Sequence, residues 1–328
     1  MVIAVNAKQL LLPAGIIMGL LAGTFFPIVT ESISNLVNPL VLTLLALLFF
    51  EIRFDPIPKI ARNRLFICVV WLSNFLIIPL LAWGLSVLFF PMEPALYAGL
   101  LLYLLFPCTD WFLAFTRMAK GDVSLGSVLI PLNLVTQLLF FPLYLSFFIG
   151  LQTDFNLSGV WGTLGRWFVL PLLGATFLRF VFAKVLSQDR FATLHKFSGS
   201  LIPWVLAGLV FCIFSCHTPQ LISHPKVFPL VLLAVFIFFV LTWILGELFA
   251  WCFKLKRPQH VLLAMSTTAR NSPLMLGLAT VVLPEQPLVY AALIIGMLVE
   301  FPHLAFLTHV FQRRTNLIST SAQNSAVV

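Results

Sequence analysis

FPCTDW, at residues 106–111, interrupts an apolar run that extends from about residue 95 to 118. TARNSP, at residues 268–273, interrupts a second apolar run, from about 258 to 283, in the same way. Unwound backbone at membrane depth leaves N–H and C=O groups unpaired, so it persists only where it lines a cavity enclosed by protein. The two stretches therefore predict broken transmembrane helices that enclose a solute site. The alternative is a pair of ordinary proline kinks repaired by neighbouring helices.

The composition excludes a soluble globular enzyme. Of the 328 residues, 61% are hydrophobic and only 9% are charged, whereas soluble domains have about 25% charged residues. The net charge of +8 comes from Lys and Arg clusters between apolar runs, which indicates membrane topology rather than nucleic-acid binding. The five Cys residues lie in or beside apolar segments without a CxxC pair, so no disulfide is expected. The chain is predicted to be a polytopic membrane protein.

Ten segments are long and apolar enough to cross a bilayer, each with roughly 20 mostly apolar residues. They predict an all-α protein with one transmembrane domain, residues 1–328. The predicted spans are approximately 9–27, 34–50, 65–90, 95–118, 123–149, 158–183, 198–215, 227–253, 258–283 and 287–311.

The distribution of basic residues predicts the orientation. Sixteen Lys and Arg residues fall in the termini and loops of one side, and only Lys226 falls on the other. Because basic residues are retained on the cytoplasmic side, both termini are expected in the cytoplasm. The protein is expected to lie in the inner (plasma) membrane of the cell.

Ten spans divide into two halves of five, which would be oppositely oriented, as in many secondary transporters. The halves are predicted as inverted repeats at approximately 1–155 and 156–328. The two interrupted runs are the fourth spans of their halves, and one constant offset in residue number carries both Cys108 onto Asn271 and Gln137 onto Glu300.

The breaks contain residues that end and restart helices. Pro107 denies the preceding helix a donor, and Cys108 or Thr109 is expected to cap the helix that follows. Ser272 before Pro273 has the pattern of an N-cap and a first helical residue. The N-termini of both second half-helices would direct N–H donors to one point, which predicts a substrate site there.

Four charged residues lie inside predicted spans: Asp110, Glu247, Arg270 and Glu300. A charged side chain costs free energy inside a membrane, so each of these residues is a candidate functional residue. Asp110 and Arg270 lie on the two breaks, so they are expected to form an ion pair that opens during transport or one that is permanently structural. Glu300 is the first choice for a carboxyl that binds a proton during transport, with Asp110 as the second.

Uncharged polar residues are expected to complete the cavity: Asn74, Asn133, Gln137 and Asn271. Each of them, taken alone, is more often a hydrogen-bonding contact between helices. Cys108 differs from the other cysteines because it lies in a break, where a thiol suits a soft or thiophilic solute. Glu300 and His303 have a metal-ligand spacing, but Pro302 lies between them, so no metal site is expected. Motifs of intramembrane enzymes are absent from the sequence, and neither enzyme activity nor a cofactor is expected.

The segments FPCTDWFLAFTRMAKGDVSLGSVLIPLNLVTQL and TTARNSPLMLGLATVVLPEQPLVYAALIIGMLVEFPHL resemble the fourth-fifth and ninth-tenth helix motifs of the bile acid:sodium symporter superfamily. Within it they are most similar to the arsenite efflux permeases, the arsenical-resistance proteins. The resemblance implies ten helices in two inverted repeats, a panel and a core bundle, and broken fourth and ninth helices that cross.

Specific residues carry this resemblance. Pro107, Cys108 and Thr109 match the Pro-Cys-Thr of the arsenite permeases, whose cysteine is required for transport. Glu300 matches a glutamate that precedes proline in the tenth helix. Two features depart from the pattern. The second break reads Ala269, Arg270, Asn271, Ser272, where the arsenite permeases usually show a small-Ser-Asn-Asn type of sequence, and Asp110 and Trp111 stand where the better-known permeases carry small or apolar residues. The sodium-ligand patterns of the bile-acid branch do not occur, and Leu113 stands near the position of the first asparagine, which favours proton over sodium coupling.

These inferences predict a secondary transporter that exports arsenite in exchange for protons. Cys108, Thr109, Asp110, Arg270, Asn271 and Ser272 would contact the substrate, supported by Pro107, Asn74, Asn133, Gln137 and Pro273. One alternative keeps the fold and carries a small organic anion, proton- or sodium-coupled, whose carboxylate Arg270 would hold. Another is a receptor that binds ligand without moving it, although the short loops offer no signalling module. The sequence leaves the oligomeric state open.

Overall fold

The computed structural model describes residues 11–26, 33–51, 63–109, 111–150, 162–163, 165–223 and 227–325. These ranges are almost entirely helical, which confirms an all-α protein. The helices are α1 (Leu11–Phe25), α2 (Val37–Glu51), α3 (Arg64–Phe89), α4 (Pro94–Leu105), α5 (Phe112–Met118), α6 (Val123–Ile149), α7 (Gly165–Val185), α8 (Gln188–Ile222), α9 (Val227–Cys252), α10 (Arg257–Thr268), α11 (Ser272–Val282) and α12 (Pro287–Ser325).

Six of the described helices are long and apolar enough to cross a membrane: α3, α6, α7, α8, α9 and α12. Four shorter helices, α1, α2, α4 and α11, are also apolar. A chain with this many apolar helices is a multi-pass membrane protein, as its composition predicts. The predicted starts of spans one and six, near residues 9 and 158, lie outside the described residues.

The helix that contains predicted span seven extends beyond that span. The sequence predicts residues 198–215, whereas α8 begins at Gln188, nearly three turns earlier. No Pro or Gly lies between Gln188 and Phe197 to stop the helix. At its other end α8 is kinked at His217, two residues before Pro219.

Helices α1, α2, α7 and α8 pack on one another. Gly15, Gly19 and Gly23 of α1 are buried, and a Cβ atom at Gly19 would lie 2.7 Å from the carbonyl oxygen of Phe211 in α8. The backbones of α1 and α8 therefore approach closely along a row of small residues, as transmembrane helices often do.

The other helices, α3 to α6 and α9 to α12, pack around the two interrupted segments. Their packing buries α4, α10, α11 and the first part of α12 almost completely. Helices that are apolar or small on all sides belong in such a position. The interrupted segments thus lie deep inside the protein and away from lipid.

The interruptions lie where the sequence predicts them. The first helix of each broken pair, α4 and α10, has 12 residues, and the offset that carries Cys108 onto Asn271 also carries Pro94, the start of α4, onto Arg257, the start of α10. Helix α4 ends at Leu105 and α5 begins at Phe112, whereas α10 ends at Thr268 and α11 begins at Ser272.

Candidate functional site

The two breaks pair with each other through their backbones. Pro107 and Arg270 form an isolated antiparallel bridge. On one side of it, the amide of Cys108 donates to the carbonyl oxygen of Ala269 at 3.0 Å. On the other side, the amide of Asn271 donates to the carbonyl oxygen of Phe106 at 3.0 Å. The extended backbone of each break thus satisfies polar groups of the other, which makes unwinding tolerable at this depth.

Arg270 is the largest fully buried side chain in the described part of the protein. Its guanidinium donates to the carbonyl oxygens of Leu104 at 3.1 Å, Ser266 at 3.1 Å and Thr267 at 2.7 Å. It also donates to Oδ1 of Asn74 at 3.4 Å. The side chain therefore connects α4, α10 and α3. The predicted ion pair with Asp110 is untested, because Asp110 lies outside the described residues.

Glu300, in α12, connects both breaks. Its Oε1 accepts a hydrogen bond from the backbone amide of Arg270 at 3.0 Å and another from Nε1 of Trp111 at 2.8 Å. Its Oε2 accepts from the hydroxyl of Ser272 at 3.3 Å. Glu300 is fully buried, so its charge state affects contacts of α12 with both broken helices.

An amide-rich cluster lies beside the bridge. Nδ2 of Asn271 donates to Oγ1 of Thr109 at 3.3 Å and to Oε1 of Gln137 at 3.2 Å. Nε2 of Gln137 and both polar atoms of Asn133, one turn away on α6, are buried without a hydrogen-bond partner among the described residues. Buried polar atoms without partners are rare in native proteins, so we expect a solute or water molecule to form hydrogen bonds with these atoms.

Asn74 lies in a π-helical turn of α3, Ser73–Ile77. Its Nδ2 donates to Oγ of Ser266 at 3.0 Å, while its Oδ1 accepts from Arg270. Single π turns are frequent at functional sites because they re-aim one side chain. Here the turn directs Asn74 at the end of α10.

The thiol of Cys108 is buried, with 1% of the residue exposed. It belongs to a small apolar cluster that also includes Phe112, Leu262 and Leu304. Thr109 and Asn271, by contrast, lie on the side of Gln137 of α6. The structure thus brings the backbone of Cys108 to the crossing, while its side chain packs in an apolar cluster.

The predicted helix caps are wrong. Helix α5 begins only at Phe112, and no side chain among the described residues caps it. Thr109 instead accepts a hydrogen bond from Asn271. At α11, Asn271 occupies the N-cap position and Ser272 is already helical, with its hydroxyl directed at Glu300. The hydroxyls predicted as caps are used in contacts between helices, which local pattern does not reveal.

Sequence reasoning missed a cavity of about 360 Å³ between α6, α7 and α11. Its lining is almost entirely apolar and includes Phe141, Phe168, Leu274 and Met275, with Gln137 as the polar exception. It also missed Trp111 as a partner of Glu300. The signal available was a Trp inside a break, because a buried indole N–H requires an acceptor.

Comparison with known proteins identifies the family. The model of the sodium bile acid symporter family matches residues 37–224, more than half of the chain. That part contains Cys108 and Gln137 but not Arg270 or Glu300.

Two curated relatives share 28% identity with the chain. One is the arsenical-resistance protein Acr3 of Corynebacterium glutamicum, similar over 223 residues, which are 62% of this chain and 60% of the relative. The other is the uncharacterized protein YbaS of Bacillus subtilis, similar over 229 residues, 68% of this chain and 71% of the relative. The match to the first therefore spans less than two thirds of that protein's length. The chain belongs to the sodium bile acid symporter family, a family named for membrane transporters and not for enzymes.

Proposed function

We propose that the protein is a secondary active transporter that exports trivalent arsenic, as arsenite, in exchange for protons. The observation that carries the proposal is the position of Cys108, a soft ligand, whose amide forms one of the two hydrogen bonds that flank the bridge between the broken helices. Similarity to an arsenical-resistance protein supports the choice of cargo. The protein would act in the inner (plasma) membrane.

Cys108 would provide a transient contact for arsenic. A single thiol binds weakly enough to release the solute on the other side of the membrane. Because the thiol is buried in the observed conformation, the broken helices must move before arsenite reaches it. Thr109, Asp110, Asn271 and Ser272 would then supply polar contacts to the hydroxyls of arsenite.

Glu300 would couple proton binding to this movement. As a carboxylate it accepts three hydrogen bonds from residues of the two breaks and their second helices. A protonated carboxyl has one oxygen that donates, so the bond from Ser272 to Oε2, the longest of the three, would be lost or reversed. Protonation would therefore change the contact between α12 and α11 inside the bundle of broken helices, and this change would accompany the tilt of that bundle against the other.

The same proposal includes ten crossings in two inverted repeats, at approximately 1–155 and 156–328, with both termini in the cytoplasm. Helices α4 with α5, and α10 with α11, would each make one broken crossing. Support comes from the bridge: a single offset in residue number carries Phe106 onto Ala269 and Cys108 onto Asn271, and thereby exchanges its two flanking hydrogen bonds. Reporter fusions after each predicted span would test the orientation.

A second candidate cargo is a small organic anion. The 360 Å³ apolar cavity next to Gln137 favours it, since arsenite would leave most of that volume unfilled. Both terminal nitrogens of the Arg270 guanidinium already donate to backbone carbonyls or Asn74, which leaves Nε as its donor without a partner among the described residues.

The test is arsenite uptake into everted membrane vesicles energised by respiration, with and without an uncoupler. We expect uptake that the uncoupler abolishes, that Cys108→Ser eliminates and that Cys212→Ser preserves. Cys212 is a matched control because it is also buried, but in α8 and away from the breaks. Absence of arsenite uptake in the wild type would shift the proposal to an organic anion, and full uptake in Cys108→Ser would remove the thiol from the mechanism.

A further inference from the structure

The guanidinium of Arg270 lies at the C-terminal ends of two half-helices. Leu104 is the penultimate residue of α4, and Ser266 and Thr267 are in the last turn of α10. The carbonyl oxygens of all three accept hydrogen bonds from Arg270. The last carbonyls of a helix have no partner within the helix and carry partial negative charge.

These carbonyls have lost their helical partners because of the breaks. In a continuous helix the amide of Cys108 would bond the carbonyl of Leu104, but it donates to Ala269. The amide of Arg270 would bond Ser266, but it donates to Glu300.

The third carbonyl follows the same rule. The amide of Asn271 would bond Thr267, but it donates to Phe106. Each amide that would have bonded one of these carbonyls in a continuous helix thus donates to the other break or to Glu300 instead. The guanidinium of Arg270 replaces these three amides as the hydrogen-bond donor to the three carbonyls.

The remaining neighbours of Arg270 complete an oxygen-rich, negatively charged site. Oδ1 of Asn74 is the fourth oxygen, and the carboxylate of Glu300 accepts the backbone amide of the same residue. Among the described residues, the Arg270 side chain forms no ion pair. The charge of the guanidinium is therefore balanced by helix ends and a nearby carboxyl, which is the setting that transporters use for a coupling cation.

We propose that Arg270 is a tethered cation that occupies a monovalent cation site formed by the ends of α4 and α10. The protein then needs no sodium, because the positive charge that holds the two half-helix ends together is covalently attached. Removal of the side chain would expose three carbonyls and one amide oxygen, close to the Glu300 carboxylate that holds the backbone amide of residue 270, and such oxygen ligands suit a hard cation. The role of Arg270 as this cation does not depend on which cargo the protein carries.

The test is thermal unfolding of purified protein in sodium chloride and in choline chloride at equal ionic strength, with lithium and potassium chloride for comparison. The wild type should unfold at the same temperature in all four salts. Arg270→Ala should be less stable in choline and recover in sodium, with a saturable rise in Tm of roughly 5 °C at a hundredfold excess over Kd.

Further variants separate the site from general charge effects. Arg270→Lys keeps a positive charge and should show no sodium response. Arg270→Ala combined with Glu300→Gln should lose the response, because the negative charge is gone. Arg314→Ala is the matched control, since it removes an arginine from Glu247, with which it pairs at 2.5 Å, without exposing helix-end carbonyls.

A sodium-dependent Tm of the wild type would overturn the proposal, as would equal stability of Arg270→Ala in sodium and choline. Failure to recover Arg270→Ala in either salt would also overturn it, because a sodium site would rescue the fold. None of these measurements requires arsenite, so a wrong cargo leaves the test unaffected.

Discussion

Pro107 and Arg270 lie opposite each other in an antiparallel bridge, although they come from opposite halves of the chain. The two hydrogen bonds that flank the bridge both measure 3.0 Å. This arrangement joins the breaks through backbone atoms, so the side chains at the two positions take no part in its hydrogen bonds. The side chains are free for other tasks: Pro107 ends its helix, and Arg270 bonds the carbonyls that the break has exposed.

Replacement of Glu300 by Gln is expected to uncouple transport from the proton gradient. Gln has nearly the same shape but cannot bind or release a proton, so the contacts with Trp111 and Ser272 would no longer respond to protonation. Uptake driven by a pH gradient in everted vesicles should fall by at least about tenfold, whereas exchange of labelled for unlabelled arsenite at equilibrium should continue.

Glu247→Gln is the control for that experiment, because Glu247 is also a carboxylate within a long helix but pairs with Arg314 away from the breaks. We expect gradient-driven uptake close to that of the wild type in this variant. Full gradient-driven uptake in Glu300→Gln would assign proton coupling to another residue, with Asp110 the next to test.

Replacement of Asn133 by Leu is expected to stabilise the protein and to impair transport. Both polar atoms of Asn133 are buried without a hydrogen-bond partner among the described residues, and such groups cost about 1–3 kcal/mol. A leucine keeps the branch at Cγ but has methyl groups in place of the two polar atoms, which would remove that cost, so Tm should rise. If a solute satisfies Asn133 during transport, KM should increase in the same variant.

Tm and KM of Asn133→Leu test the two parts of this prediction separately. A decrease in Tm would show that Asn133 has a structural partner, and an unchanged KM would place it outside the solute path. Leu138→Met, a nearly volume-conserving change on the same helix, is the control and should alter neither quantity appreciably.

Replacement of Gly19 by Ala is expected to separate α1 from α8. The new Cβ atom would lie 2.7 Å from the carbonyl oxygen of Phe211 and 2.8 Å from Cβ of Phe214, both too close for a methyl group. Overpacking of this kind costs about 1–3 kcal/mol, which thermal unfolding in detergent should detect.

Gly84→Ala is the matched control, because in the described part of the chain no heavy atom outside the local helix backbone lies within 4 Å of a Cβ atom built at Gly84. Alanine in a helix is favoured over glycine by up to about 1 kcal/mol, so this variant should be as stable as the wild type or slightly more stable. Equal destabilisation of both variants would contradict the close approach of α1 to α8.

The sequence by itself determined the membrane class, the positions of most helices and the location of both breaks. These features are local. A long apolar run is helical in a membrane, and a proline among polar residues, Pro107 in one run and Pro273 in the other, interrupts the helix regardless of where the rest of the chain lies. The ten crossings, the repeats and the roles of the site residues stay predictions.

Only the tertiary structure decided which groups satisfy one another at the breaks. The side chain of Arg270 bonds carbonyls on α4 as well as α10, and Trp111 reaches Glu300 on α12. The predicted caps were wrong for the same reason, since Thr109 and Ser272 found partners on other helices. A broken helix exposes donors and acceptors that any nearby group can satisfy, so their partners depend on long-range packing that no local pattern encodes.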